Sequence, residues 1–234
     1  MELFIIRHGQ SQNNALEGAN ERVEDPALTP VGEQQAECVA AYLAEGQHLF
    51  PAERGNGRPL LDHLYTSAML RTMHTAQPIG KALGMAPEVW IDVHEWGGIY
   101  LEHDDERGIV GYPGMGRSAI EARFSGYILP EGIGEQGWWD PQKGQEQVHA
   151  AHGRAIGVAN ALCARAAEDC RIGMVSHGGF IGSLLKALFH LLPSGHVGLD
   201  HQNTAITRLA FVADGGLSMD YMNRTEHLTD ELLT

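Results

Sequence analysis

Short apolar runs alternate with amphipathic stretches along this chain, a pattern that predicts alternating strands and helices. Residues 3–6 are four consecutive large apolar residues that stop at Arg7-His8-Gly9. Such a run is typical of a strand buried on both faces of a parallel sheet. The other predicted strands lie at residues 62–66, 89–93, 171–176 and 204–212, and the last of these turns into a hairpin with residues 217–222.

Four longer amphipathic stretches are predicted as helices, and they cover residues 30–44, 68–83, 145–168 and 180–191. The first has Thr29 as N-cap and Pro30 at the first helical position, whereas the second is capped by Ser67 and closed by Gly84. In the third, inward-facing side chains are expected at Val148, Ile156, Ala159, Leu162 and Cys163. The polar stretch 11–21 is predicted as a short helix or loop, and the tail after residue 222 as loosely held.

Residues 96–144 break this pattern, with recurring glycines and one predicted helix at residues 117–124. An irregular stretch this long is usually functional or mobile, and we interpret it as a cap over a site. Trp138 and Trp139 near its end would either cover a substrate or anchor the cap to the core. No linker divides the chain, so we predict a single domain, residues 1–234, with this inserted cap. The predicted fold class is α/β, a three-layer αβα sandwich with helices on both faces of a largely parallel central sheet.

Composition and charge narrow the classes of function. The 234 residues are 43% hydrophobic and carry a formal net charge of −14 without a basic stripe, which argues against nucleic-acid binding. No apolar stretch approaches the roughly 20 residues of a membrane span, and the first residues begin a strand without a basic leader region. The three cysteines form no CxxC pair, and Cys163 and Cys170 are expected to be buried thiols on one helix face. These features predict a cytoplasmic protein that binds neither membrane nor nucleic acid.

Candidate chemistry lies at the ends of the predicted strands, because ligands of parallel sheets bind beyond the carboxyl ends of the strands. Four features lie at such ends: Arg7-His8-Gly9, Ser67 with Arg71 one helical turn later, Glu95, and His177-Gly178-Gly179. Free backbone N–H groups at the two His-Gly pairs would favour an anion. Two histidines, two arginines and one carboxyl group describe a phosphoryl-transfer site without metal. One imidazole would attack phosphorus, the cations would hold the oxygens, and the carboxyl group would protonate the leaving alkoxide.

The same residues carry a family resemblance. Residues 7–11, Arg-His-Gly-Gln-Ser, resemble the Arg-His-Gly signature of the histidine phosphatase superfamily, the phosphoglycerate mutase-like fold. Further segments similar to the family's motifs are Leu-Thr-Pro-Val-Gly at 28–32, the Tyr-to-Ala segment at 65–76, Ser-His-Gly-Gly at 176–179 and Gln-Asn-Thr-Ala at 202–205. A single Arg-His-Gly is a weak signal, whereas the ordered set from residue 3 to about residue 210 is a specific one.

The resemblance implies a role for each matching residue. His8 would be the phosphorylated nucleophile, and Glu95 would be the general acid and then the base that activates water. The phosphoryl group would be bound by Arg7, Arg71, His177 and Asn14. Gly178, which precedes the predicted helix with a free backbone N–H, is a further candidate for substrate binding. Residues 94–98 depart from the family's commoner pattern, so Glu102 or Glu106 could take the place of Glu95.

The implied activity is a metal-independent phosphatase that hydrolyses phosphomonoesters, with a phosphorylated small molecule as substrate and no cofactor. A mutase-type phosphoryl transferase and a non-catalytic phosphate-ligand binder stay open as alternatives. Mutase relatives have a longer signature after Arg-His-Gly, and residues 12–14 and 19–22 lack it, which favours the phosphatase. His149 and His152 share a helix face, but no third ligand is obvious and no metal is predicted. The sequence assigns the choice of substrate to the cap and leaves the oligomeric state open.

Overall fold

The computed structural model describes residues 1–16, 22–193 and 197–234, which fold around a six-stranded sheet. The strands of the described residues are β1 (Glu2–Arg7), β2 (His63–Thr66), β3 (Glu88–Val89), β4 (Tyr100–Glu102), β5 (Ile109–Gly111), β6 (Arg171–Ser176), β7 (Ile206–Phe211) and β8 (Leu217–Arg224). The α-helices are α1 (Pro30–Ala44), α2 (Leu70–Leu83), α3 (Arg117–Arg123), α4 (Val148–Cys163) and α5 (Gly178–Leu188). None of these helices is long and apolar enough to cross a membrane.

The central sheet has the order β3-β2-β6-β1-β7-β8. Strands β1, β2, β3 and β6 run parallel, whereas β7 is antiparallel to β1 and β8 is antiparallel to β7. Side chains alternate across β1, so Phe4 and Ile6 pack against α1 and α2 while Leu3 and Ile5 pack against α4 and α5. Burial on both faces explains why this strand reads as one apolar run. The predicted three-layer α/β sandwich with a largely parallel sheet is confirmed.

The predicted strand at residues 89–93 is wrong. Strand β3 ends at Val89, and Ile91–Val93 form a 3-10 helix instead. The Trp90 N–H still donates to the Thr66 carbonyl at 2.8 Å, after which the chain leaves the sheet. This departure turns the loop that carries Glu95 towards the carboxyl ends of the strands.

Helix α4 is shorter than the predicted helix at residues 145–168 and has a different inner face. Val148 and Ile156 are more than half exposed, and Cys163 is exposed, so three of the expected inward positions are wrong. The inner face consists instead of small and medium side chains, Ala151, Ala155, Val158, Ala159 and Leu162. Alanines let the helix approach its neighbours closely, and the helix therefore turns that stripe inward although it is less apolar. Cys170 is buried as expected, but it precedes β6 and does not share a helix with Cys163.

Two predicted helix starts and the tail also differ. Helix α2 begins at Leu70 because the Ser67 hydroxyl caps the turn before it, accepting the Met69 N–H at 3.1 Å. Helix α5 begins at Gly178, directly after His177. The tail after residue 222 is not loosely held: the Gln35 amide donates to the Leu232 carbonyl at 2.7 Å. In the stretch 11–21, Gln12–Asn14 form a 3-10 helix, and residues 17–21 lie outside the described residues.

The segment 96–144 contains the antiparallel pair β4–β5 and helix α3, where a helix was expected at residues 117–124. Trp138 and Trp139 are buried in an apolar cluster with side chains of α2 and α3, such as Met73 and Ile120. Both indole rings also pack against the imidazole of His94, at ring distances of 5.3 and 5.4 Å. Of the two roles that the sequence left open, these contacts fit the anchoring one.

Candidate active site

A cavity of about 1100 Å³ opens at the carboxyl ends of β1, β2 and β6. Six of the predicted site residues line it, and these are Arg7, His8, Asn14, Arg71, Glu95 and Gly178. His177 is fully buried directly behind the cavity, with its ring 5.1 Å from the ring of His8. The structure therefore brings together all seven residues, which come from separate parts of the chain.

The contacts of His8 fix the protonation of its imidazole. Nδ1 lies 2.7 Å from the Gly9 carbonyl oxygen, which can only accept, so Nδ1 carries the proton. Nε2 accepts the Arg71 Nε–H at 3.2 Å and therefore presents its lone pair. Burial, followed by the charges of Arg71 and Arg7, holds the pKa of His8 well below its usual range. A neutral imidazole with an unprotonated Nε2 is the form that can attack phosphorus.

The loop that bears His8 is fixed from three sides. The Asn203 side chain donates to the His8 carbonyl at 2.9 Å, and the Gly9 N–H donates to the Thr75 hydroxyl at 3.0 Å. Helix α1 packs so tightly that a Cβ on Gly32 would lie 2.1 Å from the Gln10 carbonyl oxygen. Because the Gly9 N–H is already used by Thr75, this backbone group is not left for a ligand, contrary to the sequence expectation.

Arg71 lies in the first turn of α2 and is held between two partners, His8 and Asp25. The Asp25 carboxylate accepts the Leu70 N–H at 3.0 Å and lies 3.9 Å from Arg71 Nη1. Burial raises the pKa of Asp25 to about 6, and the charge of Arg71 opposes that shift. The sequence analysis does not single out Asp25, because its contact with Leu70 spans 45 residues of chain and no local pattern indicates it.

Arg7 extends from the end of β1 into the cavity, and its Nη1 donates to the His201 carbonyl. Its Nε is buried and has no hydrogen-bond partner among the described residues. A Cβ on Gly178 would lie 3.4 Å from that Nε, an ordinary van der Waals distance, so the guanidinium packs beside the start of α5. Burial lowers the pKa of Arg7 and of Arg71, and the Glu95 carboxylate opposes the shift in both.

His177 is held by a serine that lies three residues before the start of α2. Its Nε2 lies 2.8 Å from the Ser67 hydroxyl, and its buried Nδ1 has no partner among the described residues. Burial, followed by the charge of Arg71, holds the pKa of His177 well below its usual range. Two neutral imidazoles and two guanidinium groups thus surround the floor of the cavity.

Glu95 is bound to the start of α5. Its carboxylate accepts the N–H groups of Phe180 at 2.8 Å, Trp96 at 2.9 Å and Gly179 at 3.2 Å. A Cβ on Gly179 would lie 2.8 Å from Glu95 Oε1, so a larger residue there would displace the Glu95 carboxylate. The helix N–H groups that were expected to face an anion are therefore partly taken by Glu95. Of the two substitutes considered, Glu102 also lines the cavity and Glu106 does not.

The Asn14 side chain combines a local cap with a position in the cavity. Its Oδ1 accepts the Ser11 N–H at 3.2 Å, and Asn203 Nδ2 lies 3.5 Å away on the same oxygen. Because the carbonyl end of the amide is used in this way, the amino end is the part that can donate to a ligand.

The outer wall of the cavity is acidic. Beyond the floor, it has five carboxylates and two guanidinium groups, those of Glu24, Glu102, Asp104, Asp105, Asp200, Arg22 and Arg107. Arg107 is bound by Asp105 at 2.7 Å. The wall therefore carries net negative charge, in contrast to the cationic floor.

No group of three or more His, Cys, Asp or Glu side chains that could hold a metal ion is found within the described residues. His149 and His152 form no such group, and the ring of His152 instead packs against Trp96 at 5.4 Å.

Comparison with known proteins gives a family and a fold. A sequence model of the histidine phosphatase superfamily (branch 1) matches residues 3–225. The probable phosphoglycerate mutase GpmB of Yersinia enterocolitica is 26% identical over 211 residues, covering 90% of this chain and 85% of that protein. A stretch of 92 residues is 34% identical to the PE-PGRS family protein PE_PGRS11 of Mycobacterium tuberculosis, which is 39% of this chain and only 14% of that protein.

Solved structures agree with the fold. Phosphoserine phosphatase from Entamoeba histolytica, in complex with 3-phosphoglyceric acid, aligns with a TM-score of 0.58 at 21% identity, covering 97% of this chain and 99% of that chain. The mycobacterial glucosyl-3-phosphoglycerate phosphatase in complex with VO3 aligns with a TM-score of 0.55 at 23% identity, covering 96% and 99%.

Proposed function

The chain belongs to the histidine phosphatase superfamily, and we propose on that premise that it hydrolyses phosphomonoesters through a phosphohistidine on His8, without a metal ion. One observation carries this proposal: the neutral His8 ring presents an unprotonated Nε2 between cationic groups on the floor of the cavity. Fixed cations around a nucleophile stabilise the charge that spreads over the phosphoryl oxygens in the transition state.

In the proposed reaction, the His8 Nε2 lone pair forms a bond to phosphorus while the bond to the leaving oxygen breaks. The Glu95 carboxyl group gives its proton to the leaving alkoxide. Glu95 then takes a proton from water, whose oxygen displaces Nε2 from phosphorus and releases phosphate. Four side chains bind the phosphoryl oxygens, those of Arg7, Arg71, His177 and Asn14. When substrate binds, the Arg71 Nε–H no longer donates to His8 Nε2 and donates to a phosphoryl oxygen instead.

The charge of the outer wall favours hydrolysis over phosphoryl transfer. A mutase binds a bisphosphate intermediate, whose second phosphoryl group would face five carboxylates and two guanidinium groups, one of which is already bound by Asp105. The likeness to a probable phosphoglycerate mutase keeps the transferase as a second candidate. Residues 19–21, in the stretch where mutases carry their longer signature, lie outside the described residues.

The domain organisation and location are part of the same proposal. Residues 96–144 would form a cap inserted in a single domain, because Glu102, Asp104 and Arg107 of this segment line the cavity. The substrate would be a phosphorylated small molecule that this cap selects. A cytoplasmic location fits the three cysteines, all of which are free.

The test is phosphate release from a panel of small phosphomonoesters, with EDTA present. We expect turnover by the wild type and none above background by His8→Ala, with both proteins shown to be folded by circular dichroism. Loss of activity in EDTA that added metal restores would contradict metal independence. Transfer from a bisphosphate without net phosphate release would favour the mutase, and binding without turnover would favour the non-catalytic binder.

A further inference from the structure

Arg154 of α4 contacts the loop that carries Glu95 from the side opposite to the active-site cavity. Its Nη1 donates to the Asp92 carbonyl at 2.7 Å and to the His94 carbonyl at 2.9 Å. Its guanidinium carbon lies 4.7 Å from the centre of the Phe180 ring. Phe180 is the residue whose N–H binds the Glu95 carboxylate at 2.8 Å. Arg154 therefore touches the residue before Glu95 and the residue that binds its carboxylate.

Glu146 completes the arrangement. It binds Arg154 through two hydrogen bonds, from Nε at 2.9 Å and from Nη2 at 2.6 Å, and both side chains are only 9% exposed. The backbone N–H of Glu146 also donates to the Gly97 carbonyl at 3.0 Å. The loop is thus held just before Glu95 by Arg154 and just after it by Glu146. A two-pronged, mostly buried pair of this kind has a defined geometry that an exposed ion pair lacks.

The loop needs such support because it has left the sheet. Between the 3-10 helix Ile91–Val93 and strand β4, the Glu95 loop has no ladder of backbone hydrogen bonds to fix it. Arg154 does not line the active-site cavity and lies instead on a separate cavity of about 430 Å³. All three of its guanidinium nitrogens are bound to the loop carbonyls and to Glu146, so any effect on the reaction must pass through the loop.

We propose that Arg154, with Glu146, is a positioning residue that holds the Glu95 carboxyl group in place for proton transfer. This inference rests on the proposed function, in which Glu95 protonates the leaving group. A misplaced acid matters most when the leaving alkoxide is a strong base and least when it is already stable as an anion. The proposal therefore predicts a dependence on the leaving group that a loss of general stability would not produce.

The experiment compares kcat and KM for an alkyl phosphate and for p-nitrophenyl phosphate in the wild type, Arg154→Gln and Arg154→Lys. For both variants we expect kcat/KM with the alkyl ester to fall about 10- to 100-fold, with less than about a threefold change for p-nitrophenyl phosphate, because kcat/KM does not include the later water step in which Glu95 acts as base for both substrates. Lysine keeps the charge beside Glu146 but cannot reach both carbonyls and both carboxylate oxygens, so it should not restore the alkyl activity. Should Arg154→Gln fail to fold, the decision rests on Arg154→Lys.

Arg165→Gln is the matched control. Arg165 follows α4 and also pairs with a glutamate, Glu168 at 2.8 Å, but it is more exposed and does not contact the Glu95 loop. It should leave the ratio of the two activities unchanged. Equal losses on both substrates in the Arg154 variants, or no loss, would overturn the positioning role.

Glu95→Gln separates failure of this inference from failure of the proposed function. If Glu95→Gln loses alkyl activity selectively and the Arg154 variants do not, only the inference is wrong. If Glu95→Gln itself shows no selectivity, Glu95 is not the general acid and the inference falls with that role. Adding Arg154→Gln to Glu95→Gln should cause almost no further selective loss, because both changes remove the same proton transfer.

Discussion

At His8, two contacts of opposite character decide which ring nitrogen is free. The Gly9 carbonyl oxygen accepts a hydrogen bond from Nδ1–H. Nε2 accepts one from Arg71, which can only donate. A cation in contact with a nucleophile also disfavours its protonation, so the nitrogen that would attack stays unprotonated when the solution is mildly acidic. The same guanidinium can move to a phosphoryl oxygen, which makes Arg71 the residue whose orientation matters most.

Asp25 anchors that guanidinium, and this anchor should be sensitive to pH. Since the pKa of Asp25 in the folded protein is about 6, its ion pair with Arg71 weakens as pH falls through that value. We expect Asp25→Asn to lower kcat/KM at pH 7 and to flatten the loss of activity below pH 6. The pH profiles of both proteins with one substrate check this, because the titration of the substrate then cancels. Glu37→Gln, at an exposed position of α1 that does not line the cavity, is the control, and an unchanged profile in Asp25→Asn would contradict the anchor.

The free energy of unfolding of Asp25→Asn should also change with pH in a defined direction relative to the wild type. A carboxyl group whose pKa is raised on folding binds extra protons in the folded state between about pH 4 and 6. Its contribution to stability is therefore lost as pH rises through about 6. Relative to the wild type, the free energy of unfolding of Asp25→Asn should increase as pH rises across this window.

Sequence patterns located the residues that directly follow strands, but they did not show which residues from elsewhere in the chain support them. His8, Arg71 and His177 follow β1, β2 and β6 closely, so the topology of a parallel sheet is enough to bring them together. Asp25, Thr75 and Asn203 act through hydrogen bonds across 45, 66 and 195 residues. Thr75 and Asn203 lie in segments that resemble family motifs, but the contacts of all three residues depend on the packed fold, so no local pattern showed what they support.

Among the elements, helix α1 shows how closely the layers are fitted around the site. Its Gly32 lies against the Gln10 carbonyl, where a Cβ would come within 2.1 Å of the oxygen. We expect Gly32→Ala to push this loop away, lowering the free energy of unfolding by about 1–3 kcal/mol and reducing activity. Urea unfolding and phosphatase assays measure the two effects.

Gly157→Ala in α4 is the matched comparison, because a Cβ there meets nothing within 4 Å. This change should raise the free energy of unfolding by about 0.5–1 kcal/mol, since alanine is the better helix former. Equal increases in the free energy of unfolding of Gly32→Ala and Gly157→Ala would contradict the close contact at Gly32.

Element boundaries were predictable where one apolar run meets a capping residue, as at Thr29 and Gly84, which cap α1 and α2. Helix α4 was harder because its buried stripe is rich in alanine while larger apolar residues such as Ile156 lie outside. Periodicity weighs side chains by hydrophobicity, whereas close packing of neighbouring elements depends on shape. The hydrophobic pattern of residues 89–93 likewise reports hydrophobicity and not packing, so it could not show that the chain leaves the sheet after Val89.

Over the whole molecule, a net charge of −14 coexists with a cationic cavity floor because the arginines Arg7 and Arg71 are gathered at one point. The surrounding carboxylates should then select against substrates with a second negative group. In the variant Glu102→Gln/Asp104→Asn, we expect kcat/KM for a bisphosphate to rise about three- to tenfold relative to an amine-bearing phosphomonoester. Glu121→Gln on α3, whose side chain is 55% exposed and does not line the cavity, is the control. An unchanged ratio in the double variant would show that the wall does not set selectivity.

The central claim is that the phosphoryl group passes through His8, and trapping that intermediate tests it most directly. The wild type is mixed with substrate in EDTA, quenched in alkali during turnover, and digested for mass spectrometry. The account predicts a phosphorylated peptide that contains His8, with no phosphate on the peptide that contains His177 and none in His8→Ala. Phosphate on another residue, or turnover that persists in His8→Ala, would contradict it.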